Sequence, residues 1–212
     1  MNRLLSTSLS VSVATGFYGI SFGALGVASG LDLLSVMLLS VLMFSGASQF
    51  AFVGVIAAGG GPLAAVLTAW LLGVRNALYA VRMSPILKAR GLWKIPAAQL
   101  TIDESNAVSA AQSNPADQVR GFWFTGVGVF VFWNLATLIG AVGGDFLGDP
   151  QQRGLDAAAA AAFLALLWPR LKDRVPLALL AALVALSLSP ILPAGGAILA
   201  AALVALWPQG EK

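Results

Sequence analysis

The stretch LMFSGASQFAFVG, residues 42–54, places small and polar residues in the middle of a long apolar segment. A helix broken inside a membrane exposes N–H groups and the positive end of its dipole, where a carboxylate can bind. Such a break is tolerated only beside protein or a water-filled cavity. The alternative is a continuous helix whose Ser and Gln side chains bond to neighbouring helices. We favour a break that forms a substrate site, and the residues assigned to it are Ser45, Gly46, Ala47, Ser48 and Gln49.

A second polar set lies near the end of the third apolar segment, in WLLGVRNALYAVRMSP. Arg75, Tyr79 and Arg82 follow at spacings of four and three and share one helical face, which Asn76 adjoins. We expect Arg82 to extend to the cytoplasmic interface. Arg75 lies two turns deeper, where an ionised group needs a carboxylate partner or a wet cavity. The pattern predicts an ion pair or a ligand contact at Arg75, with Asn76 and Tyr79 beside it.

Three carboxylates are further candidate substrate-binding residues. Asp103 and Glu104 lie in IPAAQLTIDESNAVSAA, which predicts an amphipathic helix. Thr101 and Glu104 have capping-box spacing, so the two acids could simply start this helix. Asp156, in GLDAAAAAA, could likewise be only the N-cap of a later helix. Structural and ligand-binding roles both stay open for all three.

The composition is that of an integral membrane protein. The chain is 58% hydrophobic and 10% charged, with a mean hydropathy of +0.87, whereas soluble domains are about 25% charged. It has no Cys and no His, which removes disulfides, thiolate chemistry and imidazole metal ligands and leaves proton handling to carboxylates. Motifs for nucleotide phosphates, zinc hydrolysis and serine hydrolysis are absent from the sequence. We therefore predict no cofactor, no enzymatic activity and no nucleic-acid partner.

The apolar segments predict an all-α polytopic bundle of about seven transmembrane helices in one domain, residues 1–212. The second helix is expected to be discontinuous, because it is too long for a straight crossing. Basic residues between 83 and 120 and near 172 place those loops in the cytoplasm, with the N-terminus outside and the C-terminus inside. A 3+3 inverted repeat plus one helix would have its halves at 9–82 and 121–190 around a cytoplasmic connector, 83–120. The predicted spans are 9–29, 33–58, 62–82, 121–144, 155–169, 176–190 and 193–208.

The first span carries glycines spaced three and four residues apart, at Gly16, Gly19, Gly23, Gly26 and Gly30. This spacing places them on one stripe of a helix. Small residues let helix backbones approach closely in a membrane, so the stripe predicts a packing face. A substrate path along the stripe is the alternative.

Six stretches of the chain together form a recognisable pattern: GISFGALGVASGL, LLSVLMFSGASQFAFVG, LLGVRNALYAVRMSP, LTIDESNAV, RGFWFTGVGVFVFWNLATLIGAVGG and RGLDAAAAAAFLALLWPRLK. In order and spacing they resemble the AzlC family, the large subunit of two-component branched-chain amino acid exporters. The resemblance covers residues 10–175. It implies export of leucine, isoleucine, valine and sometimes methionine across a bacterial cytoplasmic membrane, with a small hydrophobic AzlD-type partner subunit. It also implies functional roles for 46–50, Arg75, Asp103, Glu104 and 154–156.

Two departures from the family pattern bear on mechanism. The family usually has Asn-Leu-Arg-His where this chain has GVRN, so Asn76 stands in place of a ring that could titrate. The Phe that commonly follows Gly-Leu-Asp is Ala157 here. The first departure argues against histidine-based coupling in this chain, and the second bears on the shape of the side-chain pocket.

The expected mechanism is alternating access around a mid-membrane site for a zwitterionic amino acid. The N–H groups near residues 46–49, with Arg75, would meet the substrate carboxylate, and Asp156 or Asp103 would neutralise the ammonium. One rival is a non-transporting membrane assembly subunit, whose polar residues only fasten partner helices. Another is an intramembrane enzyme with Asp103, Glu104 or Asp156 as an acid-base pair. The separation of these acids across the predicted topology disfavours the enzyme.

Overall fold

The computed structural model describes residues 2–146, 174–192 and 196–206, and these residues are helical with short connections. No strand occurs within those ranges, which confirms the all-α fold class. The elements are α1 (Asn2–Ala28), α2 (Leu33–Leu42), α3 (Ala47–Ala57), α4 (Pro62–Leu87), a 3₁₀ turn (Gly91–Trp93), α5 (Lys94–Gln99), α6 (Asp103–Ala110), α7 (Pro115–Phe146), α8 (Val175–Leu188), α9 (Gly196–Ala202) and a second 3₁₀ turn (Leu203–Leu206).

Three helices of the described ranges are long and apolar enough to cross a membrane: Arg3–Ala28, Pro62–Leu87 and Pro115–Gly144. Shorter apolar helices are α2, α3 and α8. The span predicted at 155–169 lies outside the described residues, as does part of the span at 193–208. The structure thus confirms a bundle of membrane-type helices, while the number seven and the inverted repeat stay predictions.

The long helices extend beyond their predicted ends. α1 begins at Asn2 rather than residue 9, α4 continues to Leu87 rather than 82, and α7 begins at Pro115 rather than 121. Hydropathy marks where a helix contacts lipid, whereas the helix itself continues into the polar region as long as its backbone can be satisfied. α4 ends after Pro85, where Lys88 takes a left-handed conformation with φ 48°.

Helices α1 and α7 form the centre of the bundle, and the glycine stripe of α1 is their contact. A Cβ atom at Gly16 would lie 2.5 Å from Cβ of Phe132, and one at Gly19 would lie 3.1 Å from N of Thr137. Gly23 packs on α7 in the same way, and Gly26 packs on Val36 of α2. The packing interpretation is confirmed for these four glycines.

Gly30 is the exception within the predicted stripe. Apart from its chain neighbours, no described residue has an atom within 4 Å of where its Cβ would be, and its φ is +87°. Only glycine adopts this backbone conformation without strain. Gly30 therefore ends α1 and turns the chain into α2, which begins after Asp32. Asp32 Oδ1 accepts a hydrogen bond from Ser35 N at 2.8 Å, and hydrogen bonds from the Ser35 side chain and backbone lower the pKa of the Asp32 carboxyl.

Small polar side chains also hold α7 to its neighbours. Thr125 Oγ1 donates to Ser8 Oγ at 3.0 Å, and Ser40 Oγ of α2 donates to Thr137 Oγ1 at 3.2 Å. All four side chains are buried. Hydrogen bonds of this kind are a common means of helix association where no water competes. They fix α1 and α2 against α7 and so provide a frame for the broken segments.

The second predicted span is broken, as expected. α2 ends at Leu42, α3 begins at Ala47, and Gly46 between them has φ +58°. A residue with a Cβ would be strained at this φ, so glycine permits the chain to leave one helix and start the next. The break interpretation is therefore confirmed over that of a continuous helix.

A second break was not predicted. The segment 95–111 was expected to be one amphipathic helix, but it forms α5 and α6 with a non-helical link at 100–102. Leu100 and Ile102 are buried, and a Cβ on Gly126 of α7 would lie 3.0 Å from Cβ of Leu100. The predicted connector thus packs into the bundle against α7. Its link faces the same space as the break between α2 and α3.

The predicted cap of α6 is wrong. The N-cap residue is Ile102, not Thr101, and the N3 residue is Ser105, not Glu104. Thr101 Oγ1 instead donates to Ala97 O at 2.7 Å. The hydroxyl of Thr101 is thus used by α5, and the Glu104 side chain is left to face the interior.

Candidate functional site: a cavity between two helix breaks

A cavity of about 260 Å³ lies where the two breaks meet α1, α4 and α7. An apolar cavity of about 150 Å³ is large enough to hold benzene. The cavity in this protein therefore has room for a ligand of amino-acid size. Six of the predicted site residues line it: Ser45, Gly46, Ala47, Arg75, Asp103 and Glu104.

Gln49 closes the first break instead of facing the cavity. Its side chain is completely buried. Gly46 N donates to Gln49 Oε1 at 3.0 Å, and Gln49 Nε2 donates to Leu39 O at 2.8 Å. One amide side chain thereby satisfies backbone groups on both sides of the break.

Two more predicted residues, Ser48 and Asn76, do not line the cavity but bond to Ser45 in the same break. Ser48 Oγ lies 3.0 Å from Ser45 Oγ, and Asn76 Nδ2 donates to Ser45 Oγ at 3.3 Å. Tyr79 lies one turn along α4 from Asn76 and does not line the cavity. Asp156 lies outside the described residues. The structure thus separates the predicted residues that face the cavity from Ser48, Gln49 and Asn76, which support the break.

The start of α3 gives the cavity a positive end. The first N–H groups of an α-helix have no acceptor within the helix, and the helix dipole adds partial positive charge there. The first turn of α3 contains no acidic residue, so no side chain of that turn neutralises this charge. Ala47, the first residue of α3, lines the cavity.

The start of α6 gives the cavity a negative side. Its first two residues are Asp103 and Glu104, and both line the cavity. Ser105 closes this break much as Gln49 closes the other: its Oγ accepts from Ile102 N at 3.1 Å and donates to Leu100 O at 2.6 Å. Ser105 thus satisfies backbone groups of the link at 100–102, so the carboxylates of Asp103 and Glu104 are not needed to cap α6.

Arg75 of α4 connects the two breaks. Its Nη1 forms an ion pair with Asp103 Oδ2 at 2.5 Å, and its Nη2 donates to Ser45 O at 3.3 Å. The Arg75 and Asp103 side chains are 27% and 23% exposed. The expected ion pair at Arg75 is confirmed, with Asp103 as the carboxylate.

Several polar groups around the cavity lack partners within the described part of the chain. Arg75 Nε, Asp103 Oδ1 and Trp133 Nε1 are buried and make no hydrogen bond there. Glu104 Oε1 has a long contact of 3.5 Å with Thr15 Oγ1. Buried polar groups are nearly always paired, so these atoms offer two donors and two carboxylates to a ligand.

The remaining lining residues come from α1, α7 and the flanks of the breaks: Thr15, Tyr18, Phe44, Phe50, Ile102, Val129 and Trp133. Phe50 lies in the 46–50 stretch that the family resemblance marks, and the other six were not assigned to the site from sequence. Thr15 and Tyr18 each adjoin a glycine of the packing stripe, which is the one signal that could have placed them. Because the glycine stripe of α1 faces α7, the residues next to the stripe face the cavity beside α7.

The fold and the cavity together define a polytopic helical membrane protein with a polar site enclosed by broken helices. The family model described as AzlC protein matches residues 10–147, which is more than half of the chain. The chain belongs to the AzlC family. The match includes both breaks and all the described cavity residues, whereas Asp156 lies beyond it.

A relative from Archaeoglobus fulgidus, described as an uncharacterized membrane protein, is 33% identical over 156 residues. The aligned region covers 73% of this chain and 68% of the relative. No solved structure matches the chain. The family, the relative and the apolar helices support a membrane location and a role related to membrane transport.

Proposed function

We propose that this chain exports branched-chain amino acids by alternating access around the cavity between the two breaks. The substrates are valine, leucine and isoleucine, with methionine as a further candidate. Export is of the secondary type across the cytoplasmic membrane, with the N-terminus outside and the C-terminus inside. A small hydrophobic partner subunit of the AzlD type completes the exporter.

The charge arrangement of the cavity is the observation that carries this proposal. The start of α3 presents N–H groups without an acidic neighbour, and the start of α6 presents two carboxylates. A zwitterionic amino acid carries one charge of each sign and matches both ends. Its carboxylate fits at Ala47 and Arg75 Nε, because both offer donors.

The ammonium group fits on the α6 side. Arg75 already neutralises Asp103 through one carboxylate oxygen. Glu104 Oε1 contacts the neutral hydroxyl of Thr15 at 3.5 Å, and Glu104 forms no salt bridge among the described residues. A carboxylate without a salt bridge in a largely apolar protein attracts a cationic group, so Glu104 is the primary partner of the ammonium and Asp103 Oδ1 is a second acceptor.

The apolar part of the lining suits a branched aliphatic side chain. Phe44, Phe50, Ile102 and Val129 all contribute to it. Leucine has three more side-chain carbons than alanine, and each buried carbon contributes about 0.8 kcal/mol. The resulting preference for leucine is about 2.4 kcal/mol, or about 50-fold in affinity. Leucine and isoleucine are isomers, so their discrimination is expected to be small.

The test is efflux of labelled leucine from vesicles that contain this chain and its partner subunit. Wild-type protein should give leucine efflux, and Glu104→Gln should weaken apparent leucine affinity about 10- to 100-fold, since a hydrogen bond to a charged group contributes about 1.5–3 kcal/mol. Asp117→Asn is the matched control. Asp117 pairs with Arg120 on the exposed start of α7 and does not line the cavity, so efflux should be unchanged.

Co-purification with the partner separates this proposal from that of an assembly subunit. If Glu104→Gln protein assembles normally but exports poorly, the cavity acts in transport. If the wild-type vesicles release no leucine, or if Glu104→Gln protein exports as wild type does, the proposed function is wrong.

A further inference from the structure

Trp133 of α7 is held rigidly at the wall of the cavity. The side chain is 3% exposed. Its ring stacks on Phe22 with centroids 6.0 Å apart, and it meets the edge of Phe50 at 6.2 Å and 87°. Aromatic contacts on two sides leave the indole little freedom to rotate. The position of its N–H group is therefore fixed by packing.

The indole nitrogen is a donor without an acceptor. Nε1 is buried and makes no hydrogen bond within the described residues, although a buried tryptophan N–H usually finds a partner. Trp133 also lines the cavity. A ligand in the cavity is therefore well placed to provide the missing acceptor.

The indole lies beside the start of α3. A Cβ atom at Gly46 would lie 3.8 Å from Cη2 of Trp133. Nε1 is three bonds from Cη2 along the same edge of the ring. The indole ring that carries the unpartnered N–H thus borders the start of α3, on the side of the cavity that carries positive charge.

We propose, on the basis of the proposed function, that Trp133 is a substrate-binding residue whose N–H donates to the α-carboxylate of the bound amino acid. The indole N–H can donate but cannot accept a hydrogen bond. It therefore favours the carboxylate and offers nothing to the ammonium. Together with Arg75 and the start of α3, it fixes the substrate with its carboxylate toward α3 and its ammonium toward Glu104.

The experiment is equilibrium binding of labelled leucine to the purified protein with its partner subunit. Trp133→Phe keeps an aromatic ring but removes the donor, so leucine should bind about 10- to 100-fold more weakly. Trp123→Phe is the matched control on the same helix. Trp123 packs on Trp93 and Phe122 and does not line the cavity, so the affinity should be unchanged.

A second variant separates the lost donor from the lost ring volume. Replacing Trp133 with 3-benzothienylalanine keeps the ring size but puts sulfur in place of N–H. This variant should weaken leucine binding as much as Trp133→Phe does. Wild-type affinity in either variant would overturn the assignment of Trp133 alone. Absence of saturable leucine binding by the wild-type protein would overturn the proposed function and this inference with it.

Discussion

Gln49 provides the sharpest test of how the first break is held. Replacing it by leucine keeps a similar volume but removes the amide that bonds Gly46 N and Leu39 O. The family resemblance marks Gln49 as functional, whereas the structure gives its buried side chain a role in the break itself. The two roles predict different losses, one in leucine affinity and the other in stability.

The size of the stability loss follows from the groups left behind. Gly46 N would lose its acceptor, which costs about 1–3 kcal/mol. Leu39 O would still accept from Met43 N at 3.0 Å, so its loss is one net hydrogen bond of about 0.5–1.5 kcal/mol. We expect Gln49→Leu to lower the free energy of unfolding by about 1.5–4.5 kcal/mol in total.

The assay is denaturant titration of the purified protein in detergent micelles, with leucine binding measured on the same samples. Gln99→Leu is the matched control. Gln99 Nε2 donates to Val41 O at 2.6 Å in an exposed hydrogen bond. Gln99→Leu should therefore lower the free energy of unfolding by no more than about 1.5 kcal/mol. A Gln49→Leu protein with unchanged stability but impaired leucine binding would refute the structural role and restore Gln49 as a ligand.

Two further predictions concern packing and charge. Gly23→Ala should destabilise the protein by about 1–3 kcal/mol, because the new Cβ would lie 2.7 Å from Ala141 N. Gly143→Ala is the control: among the described residues, no atom outside its own helical surroundings lies within 4 Å of the new Cβ, so the same unfolding titration should show a neutral or slightly stabilising effect. Equal effects of the two substitutions would contradict the packing argument. Arg75→Gln and Asp103→Asn should each destabilise, but the double variant should fall short of their sum by about 0.5–3 kcal/mol in a double-mutant cycle; additive losses would show that the ion pair contributes nothing.

The first break could be predicted because its signals are local. Gly46 lies between serines in an otherwise apolar run, and a run of that length is longer than the hydrocarbon core needs, so it must tilt or break. Which side chains face the cavity could not be predicted in this way. Ser48 and Gln49 turn away because Ser45 in the break and Leu39 of α2 offer them partners, and those contacts exist only once the segment has folded.

The second break gave no comparable signal. Residues 100–102 contain neither glycine nor proline, and the gap is shorter than one helical turn. Periodicity over the whole segment therefore still predicts a single helix. The interruption depends on the hydroxyl of Ser105, which replaces the missing helical bonds at Leu100 and Ile102, and on Gly126, which lets the link approach α7.

The role of Trp133 could not be predicted from sequence for a different reason. Sequence places it on the fourth predicted span, where a tryptophan at this depth can equally well pack in the core or face lipid. Its role depends on the absence of an acceptor for one nitrogen atom, which is a property of the packed structure. The glycines of α1 were predictable as a packing face, but their partner helix was not.

The two breaks are closed in the same manner. In each, the side chain at the third position of the following helix bonds both the N-cap N–H and a preceding carbonyl, so neither break needs a substrate to hold it. Arg75 then joins one break to the other through Ser45 and Asp103. Under the proposed function, a bound zwitterion would weaken the Arg75–Asp103 pair, because its carboxylate would bind Arg75 and its ammonium would bind Glu104 with Asp103 as a second acceptor. A ligand shifts a conformational equilibrium only through such differential contacts. The coupling energy between Arg75 and Asp103 should therefore fall when the double-mutant cycle is repeated at saturating leucine, and an unchanged coupling would mean that substrate binding leaves this bridge intact.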